Sequence, residues 1–292
     1  MTERLTVVAA AVALCSMGRG LSMAQVPTFS ARVEQVRIDA LVAEDGRPIL
    51  GLTAVDFEVF DNGVPQSIEH VSVDAIPIRL VLVLDMSASV AGNLLADLRL
   101  AGRAALSGLR AGDQSGLVTF SDSVSLAVPL TGDLAQITTG LDAATPLGGT
   151  ALIDAAYSAM WVGEPNPGRG MLIVFSDGLD TSSWLPAERV LQAAKRSDIV
   201  VYGVSTRGQQ GNTFLAELSE VTGGRVFDVS SGSSLQATFA SILQEFRQRY
   251  VISYSPRGVT KPGWHKLELR VKGSRGRRVR VSARSGYLAG AE

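Results

Sequence analysis

The chain has 292 residues, of which 46% are hydrophobic, and a formal net charge of −1. This length accommodates one α/β domain of ordinary size together with a smaller module. The near-zero charge gives no indication of a nucleic-acid partner. The charge is unevenly distributed along the chain, because residues 251–292 carry ten Lys/Arg against two Asp/Glu. We interpret the basic end as solvated strand faces, with a partner surface as the alternative.

The N-terminus has the pattern of a secretory signal peptide. An apolar stretch runs from Leu5 to Met17, and Ser22 and Ala24 supply small residues for cleavage before Gln25. We therefore expect residues 1–24 to be removed and the protein to be secreted or periplasmic. An uncleaved anchor is the alternative, but the stretch is short for a membrane span, and no later stretch is long enough. A lipoprotein is disfavoured by the bulky Leu14 before the single cysteine, Cys15, so the mature chain would lack cysteine chemistry and disulfides.

Residues 27–75 are predicted to form an N-terminal β segment. Polar and apolar residues alternate with period two from residue 29, and Glu44–Arg47 and Asp61–Gly63 provide turn signals. About four strands fit this length. So small a sheet is marginal alone and needs a partner surface.

Residues 76–250 are predicted to form a Rossmann-like, doubly wound α/β domain with a mostly parallel sheet. Ile78–Asp85 is almost continuously apolar, as expected for a strand covered by helices on both faces. Further apolar strands alternate with amphipathic helices, which is typical of this fold class. The predicted strands are Gly116–Phe120, a short edge strand Ser123–Val128, Met171–Phe175, Ile199–Val204 and Arg225–Val229. The predicted helices are Leu94–Leu109, Leu134–Ala143, Ala151–Met160, Pro186–Lys195, Phe214–Val221 and Leu235–Arg249.

Residues 251–288 are predicted to form a C-terminal β segment that packs with residues 27–75. Period two returns in Tyr250–Ser255, Trp264–Val271 and Arg277–Ala283, which indicates three strands. Because domain termini commonly lie close together, the two flanking segments are expected to share one small all-β module.

Oxygen-bearing side chains follow the predicted strand ends. Asp85, Ser87 and Ser89 leave the first apolar strand, and Asp177 follows the strand Met171–Phe175. Thr150 ends a glycine-rich loop before a helix. Ligands of open α/β sheets bind beyond the carboxyl ends of the strands, and oxygen donors suit a hard divalent cation. The pattern predicts a metal site at this edge.

Together these five residues resemble the complete metal-ion-dependent adhesion site of the von Willebrand factor A and integrin I-domain family. The local sequences Gly148–Asp154 and Ser176–Gly178 are also similar to that family. The resemblance implies that Ser87 and Ser89 ligate Mg²⁺ or Mn²⁺ directly, and that Thr150 does so directly or through water. Asp85 and Asp177 would act mainly through bound waters, and we expect the Asp85 carboxylate to face solvent and the ion.

The flanks resemble a bacterial group of exported proteins that contain such a domain. The similarity lies in Leu52–Ile68 before the domain, and in Tyr250–Tyr254 and Arg284–Tyr287 after it. It bears on architecture and localisation more than on function.

The resemblance implies a non-enzymatic adhesion or assembly module whose cation coordinates an Asp or Glu carboxylate of a protein partner. No nucleic-acid partner is expected. A structural protein whose metal only stabilises the fold is the first alternative, and a metal-dependent hydrolase is the second. The two histidines, His70 and His265, lie in different β segments, which argues against a zinc site or a catalytic triad.

Several other residues near the predicted site have competing interpretations. Asp154 is interpreted as a helix-start or supporting residue rather than a ligand. Asp180 either caps its loop or adds negative charge to the rim of the site. For Trp184 we favour packing over a position on the rim, and for Arg275–Arg280 a solvated hairpin over contact with acidic polymers or lipid headgroups.

Overall fold

The computed structural model describes residues 35–164, 168–206, 213–229, 232–259, 262–273 and 278–289. The predicted signal peptide and residues 275–277 of the predicted hairpin Arg275–Arg280 lie outside these residues. The strands are β1 (Val36–Glu44), β2 (Arg47–Pro48), β3 (Phe57–Asp61), β4 (Val64–Gln66), β5 (His70–Val73), β6 (Ile78–Asp85), β7 (Gln114–Phe120), β8 (Val124–Thr131), β9 (Arg169–Ser176), β10 (Val200–Ser205), β11 (Val226–Asp228), β12 (Tyr250–Tyr254), β13 (Gly263–Val271), β14 (Val279–Ser282) and β15 (Gly286–Ala289). The helices are α1 (Asn93–Ser107), α2 (Leu134–Ala143), α3 (Leu152–Gly163), α4 (Ala187–Ala194), α5 (Thr213–Val221) and α6 (Gly232–Arg247).

A six-stranded sheet with the order β11-β10-β9-β6-β7-β8 forms the centre of the α/β part. Neighbouring strands are parallel except β8, which pairs antiparallel with β7 as the predicted edge strand. In β6, Leu82 faces the apolar core under α1, α2 and α6, and Val83 faces the core under α3, α4 and α5. Both faces are buried, which explains the continuous apolar sequence of this strand. The predicted fold class is confirmed.

The two chain ends form a β module beside this sheet. Strand β1 pairs with β12 and β14, and β3 pairs with β13, so each of the two antiparallel sheets contains strands from both flanks. Between the sheets lies a third apolar core that contains Ile38, Phe57, Ile252 and Leu267. The all-β module that the sequence predicted from the two flanks is therefore present. The domain boundaries at residues 75 and 250 stay predictions.

The strand count of the β module differs from the prediction. The first flank has five strands rather than about four, because the chain turns back after β1 to form the two-residue β2. The second flank has a fourth strand, β15, which pairs with β13. Its four residues begin with Gly286 and are too few to show a period-two pattern, so the sequence analysis missed it.

A buried polar cluster joins the two sheets of the β module. The Asp61 carboxylate accepts hydrogen bonds from the hydroxyls of Tyr254 (2.9 Å) and Tyr287 (2.7 Å), and its other oxygen lies 2.8 Å from Nδ1 of His265. Asp61 belongs to the first flank and the other three residues to the second. His265 therefore has a structural partner that its position in the sequence does not reveal.

The β module is joined to the α/β part by a buried ion cluster. Asp39 of β1 accepts hydrogen bonds from Nε of Arg169, at the start of β9, and from Nε of Arg249, after α6; both distances are 2.8 Å. Burial raises the pKa of Asp39, but the two guanidinium groups outweigh this effect and hold the pKa below its usual value. Arg249 also donates to the carbonyls of Asp39 and Ser282.

Replacing Asp39 should destabilise the protein strongly. In Asp39→Ala two guanidinium groups would remain buried without their carboxylate, at a cost of about 3–5 kcal/mol. Scanning calorimetry would measure the fall in Tm. The control is Asp142→Ala, which breaks a half-exposed pair with Arg103 and should cost about 1 kcal/mol or less. Equal Tm values for the two variants would contradict a structural role for the cluster.

Deleting residues 256–292 should make residues 29–75 sensitive to protease, because β3 loses β13 and the core around Phe57 opens. The α/β part has its own two cores and should stay resistant and keep its metal binding. Limited proteolysis with mass spectrometry would locate the first cuts. Continued protection of the N-terminal segment would show that it does not depend on the second flank.

Candidate metal centre

Three loops meet at the carboxyl edge of the central sheet. The first follows β6 and carries Ser87 and Ser89, and the second follows β9 and carries Asp177. Since Leu84 pairs with Phe175, these two loops leave the sheet side by side. The third is the Gly148–Thr150 loop before α3, and its Gly148 carbonyl accepts a hydrogen bond from Ala88 N (3.1 Å).

Three oxygen atoms of these loops are joined by hydrogen bonds, at separations that adjacent oxygens around a metal ion also have. Ser87 Oγ is 3.0 Å from Ser89 Oγ, which is 2.9 Å from Asp177 Oδ1. For octahedral Mg²⁺ with oxygen ligands at 2.0–2.1 Å, adjacent ligands lie about 2.9 Å apart. The donor chemistry and the spacing both fit a divalent cation of this size.

Asp85 lies beneath these oxygens, and the expectation that its carboxylate faces solvent is wrong. The residue is fully buried and accepts hydrogen bonds from Ser87 N and from Ser176 Oγ, both at 2.8 Å. Burial raises its pKa, the hydrogen bonds from Ser87 and Ser176 lower it, and the charge of Asp177 raises it further. Asp85 is buried because β6 ends inside the sheet edge, where β7 and β9 flank it.

Thr150 lies beside the Asp177 loop. It is almost buried, and a Cβ atom added to Gly178 would lie 3.6 Å from its hydroxyl oxygen. The Thr150 carbonyl accepts hydrogen bonds from Thr181 N (2.8 Å) and Ser182 N (3.1 Å). The structure thus brings all five predicted residues to one edge, while their individual roles as ligands stay predictions.

The glycine loop is held by Asp122, which the sequence analysis missed. Asp122 Oδ1 accepts a hydrogen bond from Gly149 N (2.7 Å), and Ser182 Oγ lies 3.3 Å from the same oxygen. Gly148 has φ +77°, and a Cβ atom there would lie 1.8 Å from Asp122 Oδ2. Glycine is therefore required by both conformation and space. Asp122 stands in the turn between β7 and β8, where no local signal indicates its partner.

Asp154 and Asp180 hold the loop that follows Asp177. The Asp154 carboxylate accepts hydrogen bonds from the backbone N–H groups of Trp184 and Leu185, both at 2.9 Å. Asp180 accepts from Ser183 Oγ and Ile153 N, so it caps the loop. Asp154 is a supporting residue, as interpreted from the sequence. The Trp184 side chain is 89% exposed, so the packing interpretation of this residue is wrong.

The fold agrees with comparisons to known proteins. Residues 80–196 match the family model of the von Willebrand factor type A domain. The structure is similar to that of a von Willebrand factor type A protein from Catenulispora acidiphila, and this similarity extends beyond residues 80–196. The two chains are 12% identical with a TM-score of 0.54, and the similarity covers 89% of this chain and 75% of that one.

A second similar structure is that of proximal thread matrix protein 1 from the mussel byssus, solved with zinc in its metal-ion-dependent adhesion site (MIDAS) motif. It is 21% identical with a TM-score of 0.50, and the match covers 64% of this chain and 49% of that chain. At these identities the likeness concerns the type A fold alone. Comparison with curated proteins gave no match.

The oxygens at the candidate metal centre are mainly hydroxyls rather than clustered carboxylates or imidazoles. Within the described residues, no group of three or more His, Cys, Asp or Glu side chains is arranged to hold a metal ion. A cation at the carboxyl edge therefore depends on hydroxyls, with Asp85 and Asp177 as the nearby charges.

Replacing Asp85 should remove metal binding while the fold persists. In Asp85→Ala, Ser87 N and Ser176 Oγ lose their acceptor, so the serine loop is no longer positioned and Mg²⁺ affinity should fall by at least about 100-fold. Removal of a buried carboxylate with a raised pKa offsets part of the lost hydrogen bonding. Calorimetric titration would measure affinity and circular dichroism the fold, with Asp142→Ala as control. Unchanged affinity would contradict the assignment of Asp85.

Proposed function

We propose that the type A domain is a metal-dependent protein-binding module whose cation coordinates an Asp or Glu carboxylate of the partner. The observation that supports this most is the spacing of about 3 Å that joins Ser87 Oγ, Ser89 Oγ and Asp177 Oδ1 at the sheet edge. Mg²⁺ is the proposed resident ion, with Mn²⁺ as its substitute.

The proposed site combines neutral hydroxyl oxygens with charged carboxylate oxygens. Ser87, Ser89 and Thr150 would contact the ion with hydroxyls, which carry no charge. Asp85 and Asp177 would orient the hydroxyls and the waters of the shell, as Asp85 already orients the Ser87 backbone. Bound Mg²⁺ would keep an open coordination position and enough positive charge to attract a carboxylate.

We also propose that the protein acts outside the cytoplasm. This proposal rests on the sequence pattern of residues 1–24 alone, because those residues lie outside the described part of the chain. No helix in that described part has the length and apolar character needed to cross a bilayer. N-terminal sequencing of the protein recovered from its native compartment would test the proposal, and Gln25 as the first residue is the expected result.

The first test is whether one divalent ion binds per chain. Metal-stripped protein titrated with Mg²⁺ or Mn²⁺ should give a stoichiometry of one by calorimetry. Zn²⁺ belongs in the same series, since the mussel protein was solved with zinc. Ser89→Ala removes one oxygen of the cluster and should bind at least about tenfold more weakly. Ser107→Ala, at the exposed end of α1, is the matched control. No binding at millimolar metal would refute the proposal.

Partner capture separates the binding function from its two alternatives. Retention of a partner from native extract should require Mg²⁺ and be lost in EDTA, while circular dichroism stays native. If EDTA unfolds the protein, a structural metal is favoured. If the retained protein is cleaved over time in Mg²⁺ but not in EDTA, the hydrolase is favoured.

A further inference from the structure

Three large apolar side chains are exposed around the candidate metal centre. Leu147 is 76% exposed, Leu179 57% and Trp184 89%. We refer to these three residues as the apolar rim. Exposed apolar residues are ordinary when they are scattered singly, but a group that surrounds a binding site marks an interaction surface.

The members of the apolar rim belong to the loops that form the site. Leu147 N donates a hydrogen bond to the carbonyl of Met86 (2.8 Å), between Asp85 and Ser87. Leu179 follows Asp177 by two residues. Trp184 follows Ser182, whose N–H is bonded to the Thr150 carbonyl. The backbone that carries the rim is therefore hydrogen-bonded to the serine loop at Met86 and to Thr150.

The backbone that carries the apolar rim is held in place by hydrogen bonds. Asp154 accepts from Trp184 N, Asp180 accepts from Ser183 Oγ, and Ser183 Oγ also accepts from the N–H groups of Ile153 and Asp154. This network fixes the loop that carries Trp184 to the start of α3, while the Trp184 side chain stays exposed. A rigid, exposed Trp is the kind of residue that dominates binding energy in protein interfaces, because little freedom of its backbone remains to be lost.

We propose that the apolar rim binds the residues next to the metal-bound carboxylate, so the partner is a protein segment whose Asp or Glu is flanked by apolar side chains. The inference rests on the proposed function, which places that carboxylate at the loops that carry Leu147, Leu179 and Trp184. A partner carboxylate alone would leave the apolar rim exposed to water. Apolar side chains next to that carboxylate would cover the rim, and the burial of apolar surface would favour binding.

A random-peptide display selection on the purified protein in Mg²⁺, eluted with EDTA, tests this partner class. The eluted peptides should be enriched in one internal Asp or Glu with Leu, Ile, Phe or Trp within two positions. Enrichment in carboxylates without apolar neighbours would overturn the inference and leave the proposed function standing. Absence of EDTA-eluted peptides would overturn the proposed function, and the inference with it.

Substitutions in the apolar rim test whether its residues contact the selected peptide. Trp184→Ala and Leu147→Ser should each weaken the best selected peptide by about tenfold or more while Mg²⁺ affinity stays unchanged. Trp161→Ala is the matched control, since Trp161 is 65% exposed but lies near the end of α3 away from the site. A loss in Trp161→Ala as large as in Trp184→Ala would overturn the assignment. So would unchanged affinity in both rim variants with native circular dichroism.

Discussion

The relation between the β module and the α/β part depends on the buried charge of Asp39. Its carboxylate is ionised because Arg169 and Arg249 are beside it, and those guanidinium groups tolerate burial because Asp39 neutralises them. Each charge is therefore stable only in the assembled arrangement. Since Arg249 also binds the carbonyl of Ser282, the same cluster fixes both flanks of the chain against one end of the central sheet. The two parts form one body, although each has its own apolar core.

The sequence predicted the fold of the α/β part well because its signals are local. The residues of β6 from Leu80 to Leu84 each face one of the two cores, so the strand is almost continuously apolar and its bounds were predicted correctly. Helix α2 was also predicted with its observed bounds. The oxygen-bearing residues followed from the strand ends, since parallel neighbours must end at one edge. The apolar period and the order of the chain were enough to expect oxygen-bearing side chains at that edge, whereas their roles as ligands came from the family resemblance and stay predictions.

Interactions between distant residues could not be predicted in this way. Asp39 and Arg169 are 130 residues apart, and Asp61 and His265 are 204 apart, so no short pattern indicates either pair. The burial of Asp85 depends on the neighbouring strands, and the exposure of Trp184 depends on hydrogen bonds from its loop to Asp154. In each case the sequence showed the residue type, but the environment came from a partner elsewhere in the chain.

The ion cluster and the candidate metal centre lie at opposite ends of the central sheet, and this separation has a mechanical consequence. Eight-residue β6 runs from the module at its start to Asp85 at its end, a distance of about 23 Å. A pull on a bound partner, resisted by a tether on either chain end, would act along the strands. It would load the ladders from β6 to β7 and to β9 in shear, so many hydrogen bonds would share the tension. This geometry resists force better than one in which ladder bonds open one after another.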